Sequence, residues 1–267
     1  TNSGGLSSFD SDGFSVGSYN NFNESGGTYV AWNWKAGGSA VSNTNGSITS
    51  QVSANPSAGF SIVSYTGTGA NATVGHGLAS ELNMIIVKNR DRASPWWVTN
   101  TDITFDKQVR LNDTNAAQDE ISIFNDTEPT STVFTVGTNS GSNQNGESHI
   151  AYCFHSVESY SKVGSYTGNG SADGPFVHLG FKPALVIVKN TSITGSWRMY
   201  DSDRSGYNPD NNTLYAEGSY AEDATVGRID LLSNGFKIRS AATNNASGAT
   251  IIYIAFAENP FKHTNAR

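Results

Sequence analysis

Ser64-Tyr65-Thr66-Gly67-Thr68-Gly69 leads into Ile85-Ile86-Val87-Lys88-Asn89, and the chain repeats itself in Ser165-Tyr166-Thr167-Gly168-Asn169-Gly170 and Val186-Ile187-Val188-Lys189-Asn190. Both matches lie at an offset of 101 residues, and Trp96 meets Trp197 at the same offset. Solenoid and propeller repeats run to roughly 20–50 residues, so a period of this length marks domains, each with its own core.

The later parts of the copies also align. Phe14-Ser15-Val16-Gly17 matches Phe134-Thr135-Val136-Gly137 and, more loosely, Phe236-Lys237-Ile238-Arg239. An apolar strand is expected downstream of each: Tyr29-Val30-Ala31-Trp32, His149-Ile150-Ala151-Tyr152 and Tyr253-Ile254-Ala255-Phe256, starting 15, 15 and 17 residues after the Phe. The first 35 or so residues then read as the back half of a unit without its front half, and since the chain opens on Thr1, a processed or excised piece of a longer polypeptide is expected. This divides the chain into a partial repeat unit at 1–41, a linker or edge strand at 42–55, and two full units at 56–158 and 159–267. The short junction between the full units predicts close packing in a fixed orientation.

Apolar residues at helical spacing are nearly absent, whereas short alternating runs bounded by Gly, Asn, Asp, Ser or Pro recur, among them Met84 to Lys88, Trp96 to Thr99, Glu120 to Phe124 and His149 to Phe154. Six or more such strands per hundred residues predict an all-β protein: two tandem β-sandwich units of Greek-key or jelly-roll type, preceded by the partial unit.

Charged residues make up 15% of the chain, against roughly 25% in typical soluble domains, and the net charge is −7. Such a chain lacks the clustered Lys and Arg that track a phosphate backbone, so nucleic acid is excluded as a partner. No run is long and apolar enough for a membrane-spanning helix, so no membrane insertion is expected. The single cysteine, Cys153, lies in an apolar strand and reads as a buried small hydrophobe. The five histidines form no metal-ligand pattern, and neither a metal nor a cofactor is expected.

Aromatic rings are the first candidates for a contact surface. Trp32, Trp96 and Trp197 occupy repeated apolar positions and are expected in cores. Trp97 aligns with Arg198, and Trp34 with Phe154 and Glu258, so Trp97, Trp34 and Arg198 are expected to be exposed and available to a glycan or a protein partner. A glycosidase needs a carboxylate pair flanking the scissile bond. Asp10 with Asp12, Asp102 with Asp106, Asp201 with Asp203 and Glu222 with Asp223 are the local pairs, but each lies in a turn-like stretch where Asp commonly caps the backbone. No catalytic residue is assigned.

Phe9-Asp10-Ser11-Asp12-Gly13-Phe14, Tyr29 to Gly37, Ser64 to Gly69 with Gly75-His76-Gly77-Leu78, and the ending Ala255-Phe256-Ala257-Glu258-Asn259-Pro260-Phe261-Lys262 together resemble the repeated β-rich module of virion structural, tail-fibre-like proteins of tailed bacteriophages, notably marine and cyanobacterial ones. The resemblance covers essentially the whole chain. It implies a non-enzymatic, fibre-like or capsid- or tail-surface appendage, made in the host cytoplasm, assembled as a homo-oligomer such as a trimer with other virion proteins, and contacting host-surface glycans. A polysaccharide-binding module, or a depolymerase acting on host or environmental polysaccharide, is the alternative.

Overall fold

The computed structural model describes residues 4–210, 212–225 and 228–259. The chain forms two compact units, Thr1–Trp34 and Lys35–Arg267.

In the first unit β1 (Leu6–Phe9) and β2 (Phe14–Val16) make an antiparallel hairpin that pairs Phe9 with Phe14. A helical turn, Asn20–Asn23, follows. Tyr29 to Trp32, expected as a strand, has no strand partner. In the full copies the corresponding strand is internal, flanked by two strands that precede it in sequence, and nothing in residues 4–28 corresponds to them.

The second unit carries both full repeats and is all-β. The first repeat has a large antiparallel sheet built from β3 (Val41–Asn43), β4 (Ser50–Asn55), β5 (Phe60–Thr66), β7 (Met84–Asn89), β8 (Trp97–Asn100), β9 (Lys107–Arg110), β10 (Gln118–Asp119) and β12 (Ser148–Phe154). Over it lies a two-stranded sheet of β6 (Ala72–Gly75) and β11 (Val133–Val136). The second repeat has β13 (Ser161–Thr167), β15 (Pro183–Asn190), β16 (Arg198–Asp201), β17 (Leu214–Tyr215) and β20 (Thr250–Ala257) in one sheet. Its smaller sheet contains β14 (Phe176–His178), β18 (Ile229–Leu232) and β19 (Gly235–Ile238).

The duplication is visible in strand order. The first copy runs β9-β8-β7-β12-β5 and the second β17-β16-β15-β20-β13, the same order built from equivalent strands. In both, the last strand in sequence lies inside the sheet, between two earlier strands. Residues 50–55 extend the first sheet as β4, pairing Val52 with Val63.

Alternation fills each core. Val63, Tyr65, Val87, Trp97, Ala151 and Cys153 face inward from the large sheet and meet Val74, Phe134 and Val136 from the small one. Burial of each such side chain stabilises the fold by about 1.5–3 kcal/mol. Glu120 to Phe124, expected as a strand, instead forms a helical turn, Ile121–Phe124. Ile123 and Phe124 are both buried, and a strand would send consecutive side chains to opposite faces.

Strand β20 is buried on both faces. Ile251, Tyr253 and Ala255 join the core of their own sandwich, while Ile252 and Ile254 on the opposite face are buried as well. Lys189 lies directly across from Ile252 and so shares that outer face. Its ammonium donates to the Thr114 carbonyl of the first sandwich at 2.9 Å. Three more bonds join the sandwiches: Trp197 Nε1 to Arg110 O (2.8 Å), Ala117 N to Thr191 O (2.8 Å) and Gly195 N to Thr114 O (2.8 Å). Phe154 and Phe256 add an edge-to-face contact at 6.2 Å.

Candidate functional site

The residues that repeat most faithfully hold turns together. Tyr65 and Tyr166 donate their buried hydroxyls to Ser142 O (2.5 Å) and Asn244 O (2.6 Å). Asn143 accepts from Thr68 N (2.8 Å) and donates to Ala70 O (2.6 Å) and Gly137 O (2.7 Å). Asn245 does the same with Asn169 N (2.9 Å), Ser171 O (2.7 Å) and Ser240 O (2.9 Å). The glycine of the Tyr-Thr-Gly segment is required by close approach: a Cβ on Gly67 would lie 2.3 Å from Gln144 O, and one on Gly168 would lie 2.2 Å from Ala246 O. Asn23 keeps one bond of this clamp, to Gly17 O at 3.1 Å.

The Lys-Asn pairs are structural too. Asn89 and Asn190 donate to Ser140 O (2.8 Å) and Thr243 O (2.6 Å). Lys88 caps Asn89 O (2.5 Å) and Arg92 O (3.0 Å), whereas Lys189, fully buried, holds Thr114 O and Gly195 O. Burial pushes the Lys189 ammonium down to about 8.

The expected exposure of Trp97 and Arg198 is corrected. Trp97 is only 5% exposed because it pairs with inward-facing Val87 and therefore points into the core, and Arg198 is buried at the equivalent position. Trp97 faces Arg110 on the next strand, with the guanidinium 4.8 Å from its ring centroid. Arg198 faces Tyr215, with its guanidinium 5.9 Å from that ring. The second copy thus keeps a cross-strand cation–aromatic pair with the two partners exchanged. Trp96, expected in the core, is half-buried and stacks on Tyr152 at 6.2 Å. Trp197 is buried in the seam between the sandwiches.

Trp34 is half-buried, and its alignment changes. Tyr65 pairs with His149 and Tyr166 with Ile251, so the third strand begins two residues earlier than expected and keeps the spacing of 15 after Phe236. Trp34 then aligns with Phe154 and Phe256, not with Glu258, and the position is aromatic in every copy.

The carboxylate pairs serve the backbone and nearby cations. Asp201 caps the helical turn Ser202–Ser205 by accepting from Asp203 N and Arg204 N, and it pairs with Arg204 at 2.6 Å. Glu222 binds the same guanidinium. The Thr225 hydroxyl and N–H, then the Tyr215 hydroxyl, hold Asp223 down at about 2. Asp10 accepts from Ser15 and Ser8. Among the described residues, no group of three or more His, Cys, Asp or Glu side chains is placed to hold a metal ion.

The copies differ most clearly between β8 and β9 and their counterparts. Ten residues lead from Asn100 to Arg110, whereas fourteen lead from Asp201 to Tyr215. The longer loop of the second copy builds an open pocket of about 230 Å³, whose lining includes Lys182, Asp203, Ser205, Tyr207, Asn208 and Asp210. Asn208 fixes the loop by donating to Leu231 O (2.9 Å) and accepting from Leu231 N (2.8 Å). Asp210 is 2% exposed; one carboxylate oxygen accepts from Ser205 Oγ (2.7 Å) and Asn212 N (3.1 Å), and Oδ2 has no partner among the described residues. Burial pushes its carboxyl above the usual range. Tyr207 at the rim is 83% exposed. Sequence reasoning named the Asp201 and Asp203 pair that lines this site but missed Tyr207, Asn208 and Asp210, although the change of offset from 101 to 105 across it is visible once the strands are paired.

No curated protein and no solved structure matches the chain. A family model described as Domain of unknown function (DUF7483) matches residues 1–260. The duplicated sandwich, its clamped turns and its divergent loop are therefore features of a member of that family, and the chain belongs to the Domain of unknown function (DUF7483) family.

Proposed function

We propose that this chain is a non-enzymatic structural module of a bacteriophage virion, part of a fibre-like or capsid- or tail-surface appendage that assembles as a homo-oligomer and helps contact host-surface glycans. The observation that carries the reading is how the repeated residues are used. The Ser-Tyr-Thr-Gly and Lys-Asn segments clamp turns in both copies, and Lys189 of the second also fastens its sandwich to the first, which suits a repeating structural element. A surface poor in charge and rich in Ser, Thr and Asn suits polar contacts with sugars and neighbouring subunits. Exposed Leu6, Phe9, Phe22 and Tyr29 in the N-terminal unit favour a place inside an assembly.

Mass photometry of the purified protein, with immunogold labelling of phage particles, tests the reading. Oligomers and labelled virions are expected; a strict monomer absent from particles overturns it. The depolymerase alternative predicts new reducing ends or unsaturated products from bacterial or algal polysaccharides. It is disfavoured by the engagement of Asp201 and Glu222 with one arginine.

A further inference from the structure

We infer that the loop pocket of the second sandwich is a saccharide-binding subsite that takes a neutral sugar unit, with Tyr207 as its stacking platform and carboxylate oxygens as its hydrogen-bond acceptors. The inference rests on the glycan-contact reading above and gives it a location and a ligand class.

Three independent features converge. The first is divergence: two copies that share the strand order of their large sheets differ here by four residues, and those extra residues bring in Tyr207 and Asn208. The loop is tied down at both ends of that stretch. Asn208 is clamped to Leu231, and Asp210 exchanges both backbone hydrogen bonds with Ile229. The second is an unmet acceptor. Asp210 Oδ2 is buried and has no partner among the described residues, and a buried carboxylate oxygen without a donor is costly unless a ligand or solvent group supplies one. A sugar hydroxyl is such a donor. The third is the ring of Tyr207, 83% exposed beside these acceptors, which offers an apolar face to the C–H face of a pyranose.

Charge selects among sugars. Asp201, Asp203, Asp210 and Glu258 line the pocket with Lys182 as the one cation among the described lining residues, and Lys182 is already paired with Glu258 at 2.7 Å. Uronates and sulfated sugars meet like charge there, while neutral hexoses do not. The duplicate loop in the first sandwich has no counterpart to these extra residues, so one subsite per chain is expected.

The test uses saturation-transfer NMR and calorimetry with cello-, laminari- and manno-oligosaccharides as neutral probes and oligogalacturonate and a sulfated galactan oligosaccharide as anionic ones. Wild type is expected to bind at least one neutral probe in preference to the anionic ones. Tyr207→Ala, a change at an exposed side chain, should weaken binding about tenfold or more, and Asp203→Asn, also exposed, about threefold. Binding of a neutral probe that is unchanged in Tyr207→Ala overturns the subsite and leaves the glycan-contact reading standing. Preference for anionic probes overturns the charge argument. Failure of wild type to bind any glycan removes both the subsite and the glycan part of the proposed function, while virion labelling still decides the structural part.

Discussion

Asn23, Asn143 and Asn245 occupy the same place in three copies, yet replacing each by Ala should have very unequal effects. Asn143 makes one fully buried bond, to Gly137 O, and two partly buried ones, to Thr68 N and Ala70 O. Leaving a buried group unsatisfied costs about 1–3 kcal/mol, and each partly buried bond contributes about 0.5–1.5 kcal/mol. Asn143→Ala should therefore destabilise by about 2–6 kcal/mol. Asn245 holds three backbone groups, Asn169 N, Ser171 O and Ser240 O, through partly buried bonds, so Asn245→Ala should lose about 1.5–4.5 kcal/mol. Asn23 makes a single exposed bond to Gly17 O, and Asn23→Ala should lose about 0.5 kcal/mol or less. Urea unfolding of the three variants measures the order, and amide hydrogen exchange at Thr68 gives a local readout, since its N–H should lose protection in Asn143→Ala alone. If Asn143→Ala stays within about 0.5 kcal/mol of wild type, or Asn23→Ala matches it, the reasoning from bond count and burial is wrong.

Three further outcomes are expected. Lys189 holds its proton only to about pH 8 in the fold but to about pH 10.4 when unfolded, so the unfolded chain binds more protons in between and stability should rise with pH across that window. Relative to Lys189→Met, which cannot titrate, wild type should gain about 1–3 kcal/mol between pH 7.5 and about 10.4, and parallel urea midpoints at the two pH values would refute this. Trp197→Phe removes the donor to Arg110 O and should destabilise by about 1–2 kcal/mol while hastening protease cleavage at the seam; unchanged proteolysis would count against the seam as a rigid junction. Cys153 is fully buried with its thiol pushed up to about 12, so Ellman's reagent should label it only after denaturation, and rapid labelling of the native protein would contradict the assigned core.

Much of the fold was legible because β alternation and a long repeat are both local signals. Val63, Val87 and Ala151 could be placed in a sheet from their runs alone, and the shared offset tied the copies together. Which of two adjacent residues faces inward is not local. Trp96 and Trp97 point to opposite sides of one strand, and only pairing with Val87 shows that Trp97 is the buried one. Matching by residue type also misled: Trp97 against Arg198 looked like loss of an aromatic, but the lost ring reappears across the strand as Tyr215. Aligning Ala255 with Ala151 shifted the last strand by two residues, which disguised the aromatic position shared by Trp34, Phe154 and Phe256. The candidate site was least legible, because Tyr207 and Asp210 converge through a loop fastened to β18, a contact between distant parts of the chain.

Strand β12 sits between β5 and β7, and β20 between β13 and β15, although each is the final strand of its copy. During synthesis, β5 and β7 must therefore wait with unpaired edges until some sixty further residues have left the ribosome. Both ladders of each copy need the last strand, so neither can form before that strand has emerged. The waiting edges are also the sites where a neighbouring nascent chain could insert the wrong strand. For a protein built of two related copies, the order in which strands emerge is thus part of what keeps each copy paired with itself.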